Sequence, residues 1–198
     1  MPHDDDRGQA QDQAWVHAVQ QSDDRAAFAN LMRRHQGAIR AVLRRLCNGD
    51  TGMADDLAQE SFLQACRSLA GFRGESRFRT WLIRVAHNVY LQHHRRNSER
   101  FQRGLQTLEP ETAVEGAGLS LSNTVALGLD LQRALARLSD AERQAIVYRH
   151  MAELSHTEAA KVLGWPLGTV KTHVLRGKEK LRELLAAWEP VPNTKDLA

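Results

Sequence analysis

Cysteine and proline are scarce in this chain, and long apolar runs are missing. Of 198 residues, only Cys47 and Cys66 are cysteines and five are prolines. Two thiols cannot build a disulfide framework or a four-cysteine zinc site. They read as core thiols of a reducing compartment, with a redox switch as the alternative. No apolar stretch approaches the ~18 residues that a membrane helix requires, so no membrane insertion is expected. The opening Met1-Pro2-His3-Asp4-Asp5-Asp6-Arg7 lacks the apolar centre of a secretory signal. A cytoplasmic protein is expected. No metal-ligand cluster, phosphate-binding glycine loop or nucleophile–base pair is visible, so neither a cofactor nor catalysis is expected. Lysine and arginine are absent altogether from residues 104–130.

That last absence is part of an uneven charge pattern. The net charge is only +3. Residues 1–66 carry seven basic and ten acidic side chains, whereas residues 67–103 carry nine arginines against two glutamates. The arginine-free and lysine-free stretch 104–130 holds Glu109, Glu111, Glu115 and Asp130. Residues 161–182 then hold six basic side chains and Glu179 alone as an acid. Two basic stretches thus flank an acidic connector. A basic run on its own is commonly a solvated helix face. Two of them, each on a patterned helix, point to a polyanion, and nucleic acid is the commonest.

The pattern is helical throughout. Phe28, Leu31, Met32, His35, Ile39, Val42, Leu43 and Leu46 recur at three- and four-residue spacing. Asn48-Gly49-Asp50-Thr51-Gly52 closes that helix. A second apolar stripe runs through Leu57, Ala58, Phe62, Ala65, Cys66 and Leu69, with Asp55, Asp56, Gln59 and Glu60 in its early turns. After Gly71-Phe72-Arg73-Gly74-Glu75 a third helix is predicted over 76–96, with Phe78, Trp81, Leu82, Val85, Ala86 and Val89 as its stripe. Residues 104–130 are rich in Gly, Ser and Thr, and a connector of that length suggests a link between domains. Helical spacing resumes at Leu131. The organisation predicted is an all-α chain of two small helical domains on a flexible acidic linker. The boundaries are a disordered tail 1–12, a first domain 13–100, a linker 101–130, a second domain 131–188 and a tail 189–198.

The second domain carries the sharpest motif. Ser139 with Glu142, and Ser155 with Glu158, are capping boxes that start helices. The helix from Ser155 ends at Gly164, the residue suited to a positive φ. Another begins near Gly168-Thr169. Two short helices joined by a glycine-containing turn make a helix-turn-helix. Ala159 is small where the two must approach. Val170 and Val174 face inward, which turns Lys171, Thr172, Leu175, Arg176 and Lys178 outward. That set suits base edges, phosphates and a thymine methyl group. An ordinary helical hairpin is the plainer alternative, but cap, small residue, turn glycine and basic outer face coincide. His173 is a weaker candidate base reader.

In the first domain, Arg73, Arg77, Arg79 and Arg84 interleave with Phe72, Phe78, Trp81 and Tyr90. Single-stranded nucleic acid is bound by such mixtures of cations and stacking rings. Periodicity assigns Phe78 and Trp81 to the core. Phe72 and Arg73 lie in a glycine-flanked loop, where an extruded base can be received. The Asn88 amide can read a base edge, or it is simply a surface residue. The pair His93-His94 reads as solvated.

The strings Asp55-Asp56-Leu57-Ala58-Gln59-Glu60-Ser61-Phe62 and Phe72-Arg73-Gly74-Glu75-Ser76-Arg77-Phe78-Arg79-Thr80-Trp81-Leu82-Ile83-Arg84-Val85-Ala86-His87-Asn88 resemble region 2 of bacterial sigma factors of the extracytoplasmic-function type, within the sigma-70 superfamily. Leu138-Ser139-Asp140-Ala141-Glu142-Arg143 and the Gly168-Thr169-Val170-Lys171 helix resemble their region 4. The resemblance spans about residues 25–100 and 131–186. It implies a factor that binds core RNA polymerase, recognises a promoter and opens it. It implies that Asp55, Asp56, Gln59 and Glu60 dock on the clamp helices of the largest polymerase subunit. Carboxylates on an exposed helix suit arginine-rich partners. It implies a minus-ten site at Phe72, Arg73, Arg77, Arg84 and Asn88, reading DNA as single strand. It implies a minus-thirty-five site, reading duplex, at Lys171, Thr172, Leu175, Arg176 and Lys178. A second polymerase contact at the flap, a linker whose acids mimic RNA charge, and an anti-sigma factor as a further partner also follow from the resemblance.

The chain departs from the family pattern at His173, where arginine is common, and at Gly177, where alanine is usual. A mid-helix glycine costs up to about 1 kcal/mol relative to alanine. The tryptophan pair that primary sigma factors use in melting is missing near Arg84-Val85, which implies weak melting power and a need for good element matches. Two other classes fit the pattern less well. A response-regulator output domain shares the Thr169-Val170-Lys171-Thr172-His173 pattern, but no strand-borne phospho-acceptor precedes it here. An enzyme lacks any visible catalytic constellation.

Overall fold

The structure, a computed structural model, describes residues 4–102 and 123–186. Eight α-helices follow one another among these residues, and no strand is present among them. They are α1 (Asp4–Ser22), α2 (Arg25–Leu46), α3 (Thr51–Ser68), α4 (Phe78–Gln102), α5 (Asn123–Ala136), α6 (Asp140–Ile146), α7 (His156–Leu163) and α8 (Leu167–Ala186). A 3₁₀ turn, Leu69–Gly71, follows α3, and a π turn, Val147–Met151, extends α6. The all-α, two-part architecture expected from the sequence is the one observed.

Local chemistry explains the helix starts. The Asp24 carboxylate accepts from the N–H groups of Ala26 and Ala27, and Asp50 accepts from Met53. Both capping boxes, Ser139 with Glu142 and Ser155 with Glu158, form in full. Gly164 closes α7 with φ of 68°, a conformation that glycine adopts without a Cβ penalty.

Packing assembles α1–α4 into one unit and α5–α8 into another. In the first, Leu31, Ile39, Leu43 and Leu46 of α2 meet Ala58 and Ala65 of α3 and Leu82 and Ile83 of α4. In the second, Leu135, Ile146, Val147, Tyr148, Val170 and Val174 form the interior. The buried apolar cluster continues from one unit into the other.

Three expectations are corrected. The tail expected to be disordered over 1–12 is helical from Asp4. The reason is tertiary: α1 buries Val16 and sets Asp12, itself buried, 2.9 Å from Nε2 of His35. The linker expected to run to residue 130 ends earlier, because α5 begins at Asn123 and its Gln132 accepts from Arg45 of α2 at 2.7 Å. The acids Glu109, Glu111 and Glu115 and the tail 189–198 lie outside the described residues. Finally, Cys47 is buried but Cys66 is exposed, so only one thiol is in the core. Burial, aided by the Asp50 charge, pushes the Cys47 thiol up to about 12.

Candidate nucleic-acid and polymerase interface

The helix-turn-helix is built as its pattern dictates. Ala159 is fully buried where α7 meets α8, and Val170 and Val174 point into the interior. Lys171, Thr172, Leu175, Arg176 and Lys178 are all exposed. Leu175 is 59% exposed, an apolar group held in water on an otherwise polar face. The Thr172 hydroxyl donates to the Gly168 carbonyl at 2.9 Å, which fixes its rotamer. Lys178 lies two turns beyond Lys171 and also lines an apolar cleft of about 450 Å³ with Leu131, Leu135, Ile146 and Leu181.

α8 is anchored from its inner side. Lys180 donates to the buried Glu142 carboxylate at 2.8 Å. That bond, with those from Ser139, holds the Glu142 pKa below the ordinary carboxylate value despite burial. Gly177 is buried against α6. A Cβ there would stand 2.7 Å from Cγ1 of Ile146. The glycine that looked like a helix-propensity cost is the residue that lets α6 and α8 touch. His173 is half-buried and tilts over the Trp165 ring at 5.5 Å. It braces the turn.

On α3, Asp56, Gln59 and Glu60 are exposed, but Asp55 is not free. It lies 3.4 Å from Nε of Arg40 and 3.7 Å from Arg44. Leu63 was not singled out in the sequence. It follows one turn after Gln59 and Glu60 and is 53% exposed. Its signal was there: an apolar residue at i+7 from Asp56, on the acidic face.

The loop residues and α4 complete the picture. Phe72 is half-buried, its ring 5.2 Å from Trp81 and 6.0 Å edge-on from Phe78. It is the wall of an aromatic cluster and not a free platform. Trp81, Arg84 and Asn88 lie along α4 and line a polar cleft of about 470 Å³. Glu60 and Gln64 of α3 line the same cleft. The structure therefore brings Arg84 and Asn88 together, joins them to Phe72 through Trp81, and places Glu60 beside them. Arg73 is exposed in the loop. Arg77 is also exposed, and its positive charge helps to lower the Glu158 pKa.

Glu158 ties the two units together. It accepts from Thr80 of α4 at 3.1 Å while capping α7. Burial would raise its pKa, but the Ser155 and Thr80 bonds and the Arg77 charge outweigh burial and lower it. Arg79 pairs with Glu153 at 2.8 Å beside this contact.

Comparison with known families matches residues 31–100 to "Sigma-70 region 2" and residues 128–181 to "Sigma-70, region 4". The chain belongs to the sigma-70 family. Within it, this sigma factor falls in the extracytoplasmic-function group, as its relatives do. It is 32% identical over 162 residues to RNA polymerase sigma factor YlaC of Bacillus subtilis, covering 80% of this chain and 92% of that one. It is 33% identical over 183 residues to the ECF RNA polymerase sigma-E factor of Salmonella typhimurium, covering 87% and 93%. Among solved structures it resembles the sigma factor RpoE of Bartonella quintana, in complex with the anti-sigma factor NepR. The TM-score is 0.69 at 25% identity, over 82% of this chain and 98% of that one. It also resembles CnrH in complex with the cytosolic domain of CnrY, with TM-score 0.64 at 25% identity, over 90% and 99%. Proteins of this family act in transcription initiation and are not catalytic enzymes. No helix among the described residues is long and apolar enough to cross a membrane.

Proposed function

We propose that this sigma factor binds core RNA polymerase in the cytoplasm, recognises a promoter at two elements and promotes its melting. The observation that carries the reading is the pairing, in one chain, of two exposed nucleic-acid-type surfaces. One is the outer face of α8, with Lys171, Thr172, Leu175 and Arg176 in water. The other is the cleft of Trp81, Arg84 and Asn88 adjoining the Phe72–Arg73 loop. A helix in the major groove reads duplex through such side chains. A polar cleft beside a stacked ring suits an unpaired base.

In this reading the α5–α8 unit takes the minus-thirty-five element and Lys178 adds a phosphate contact. The α1–α4 unit takes the minus-ten strand with Phe72, Arg73, Arg77, Arg84 and Asn88. Asp56, Gln59 and Glu60 dock on the polymerase clamp, with Leu63 as an apolar centre, while Asp55 orients α3 through Arg40 and Arg44. The acidic connector follows the path of RNA charge, and the α5–α8 unit meets the flap. An anti-sigma factor is the regulatory partner, as the similar sigma factor RpoE was captured with the anti-sigma factor NepR.

Run-off transcription with purified core polymerase and genomic promoter fragments tests the reading. Defined transcripts that require only core and this chain are expected. Silence with core alone, combined with stimulation of a preformed holoenzyme, would mean a regulator that recruits polymerase instead.

A further inference from the structure

The loop proposed to receive the minus-ten strand is held at its entry by a residue outside the matched family segment. Gln20 of α1 precedes residue 31, where the region 2 match begins. Its Nε2 donates to the Leu69 carbonyl at 3.0 Å and to the Phe72 carbonyl at 2.8 Å. One amide group thereby uses both of its hydrogens on one turn. The Leu69 carbonyl also accepts the Phe72 N–H at 3.0 Å. Gln20 thus clamps the 3₁₀ turn at the point where the chain leaves it. Beyond the clamp Phe72 is extended, with φ of −73° and ψ of 117°. Arg73 to Arg77 are then exposed until α4 begins, with Gly74 at φ of 72°.

Such a loop takes its direction from its two ends. At the far end Phe78 is buried among His35, Phe72 and Trp81. At the near end the Phe72 ring is held by Trp81 and its carbonyl by Gln20. α1 is itself held in register by the buried Asp12, which bonds His35 at 2.9 Å. His35 lies 5.3 Å from the Phe78 ring. The same helix therefore supports both ends of the loop.

We infer that Gln20 is a positioning residue for strand recognition: its amide sets the direction in which Phe72 and Arg73 are presented to the unpaired minus-ten strand. The inference rests on the proposed minus-ten role of this loop. A side-chain carboxamide is suited to the task because it offers two donors to two carbonyls. A carboxylate would turn acceptors toward acceptors, and alanine would leave the turn unclamped.

The test uses holoenzyme assembled from core polymerase and the full chain. A randomised pool of short single-stranded oligonucleotides, enriched on wild type, supplies the strand probe. A randomised duplex pool supplies the upstream probe. Gln20→Ala is expected to weaken the enriched strand about fivefold, the equivalent of one net hydrogen bond, and to broaden base preference. Duplex affinity and core assembly are expected to stay at wild-type values, and the thermal midpoint to fall by only about 2–4 °C. Gln20→Glu is expected to be worse than Gln20→Ala at neutral pH and to recover as the pH is lowered, when its carboxyl regains a donor. Arg73→Ala separates the two layers of the argument. If Arg73→Ala loses the strand while Gln20→Ala binds it as wild type does, the positioning role is wrong and the loop's role stands. If no strand is enriched, or Arg73→Ala has no effect, the minus-ten reading of the loop fails instead. Equal loss of strand, duplex and core binding by Gln20→Ala would mean a purely structural residue and would also overturn the inference.

Discussion

The Tyr148 hydroxyl meets Nδ1 of His87 at 2.9 Å in the interior between the two units, with the rings edge to face at 5.3 Å. His87 lies on α4 and Tyr148 on the turn after α6, so the bond joins region 2 to region 4. Both side chains are buried. Burial raises the Tyr148 pKa well above its ordinary value and keeps the phenol protonated. The imidazole tautomer sets which of the two groups donates. A single directional bond inside an apolar seam fixes how the seam registers, because leaving either group unpaired is costly. With Thr80–Glu158 and Arg79–Glu153 it sets the angle between α4 and α7, and so between the two proposed DNA surfaces.

Acid should loosen this seam. Burial pushes His87 from 6.5 down to about 4. Above 6.5 the imidazole is neutral in both folded and unfolded chains, and its contribution is intact. Below 6.5 the unfolded chain takes up a proton that the folded chain refuses until about 4. Stability therefore falls through that window, by an amount on the order of 3 kcal/mol in full. His94 and His150 are also lowered by burial and add to the same slope. Urea midpoints measured against pH for wild type and His87→Gln isolate the His87 share. Parallel curves between 4 and 6.5 would show that His87 contributes nothing.

Gly177→Ala should destabilise the chain, against the trend of helix propensity. Alanine gains up to about 1 kcal/mol in a helix interior. Its Cβ would meet Cγ1 of Ile146 at 2.7 Å and Cδ1 at 3.3 Å, with the Glu142 carbonyl at 3.5 Å. Ile146 is buried and has little room to yield, and overpacking of this kind costs about 1–3 kcal/mol. Chemical denaturation decides the sign. A midpoint above wild type would mean that α8 shifts outward at no cost.

Arg176→Ala should weaken upstream duplex binding by about 1–3 kcal/mol if the guanidinium grips a guanine edge. The side chain is exposed, so folding should be unchanged. Anisotropy titrations at several salt concentrations separate the outcomes. A uniform loss across sequences would assign Arg176 to phosphate, and no loss would remove it from the interface.

Asp56→Lys and Leu63→Ser should each lower affinity for core polymerase by about 1–3 kcal/mol, as expected for a charge-assisted pair or an apolar anchor. Both positions are exposed, so thermal midpoints and upstream duplex affinity should hold. Asp55→Asn should differ, because Asp55 is engaged with Arg40 and Arg44 inside the chain. Core affinity that is untouched by Asp56→Lys and Leu63→Ser would exclude this face of α3.

Much of the candidate site was legible before the fold. The outward set on α8 follows from Val170 and Val174 at i and i+4, since helix phase alone turns Lys171, Thr172, Leu175 and Arg176 to water. The acidic turn of α3 was legible for the same reason. That Asp55 also lies beside Arg40 and Arg44 was not legible, because nothing in the local pattern reveals that α2 reaches it. Cys66 was misread as core, since its stripe position lies at the edge of the buried face.

The amino-acid sequence by itself determined α2 to α4 and α6 to α8, the capping boxes at Ser139 and Ser155, the glycine that ends α7, the charge blocks and the family. Each of these depends on residues within a few positions of one another, or on a pattern along one helix. Tertiary structure alone decided which polar groups are spent internally and which are offered outward. Gln20 reaches Leu69 and Phe72, His87 reaches Tyr148, and Gly177 admits Ile146. Such contacts join residues far apart in the chain, and their geometry exists only once whole helices have packed. Local propensity cannot encode it.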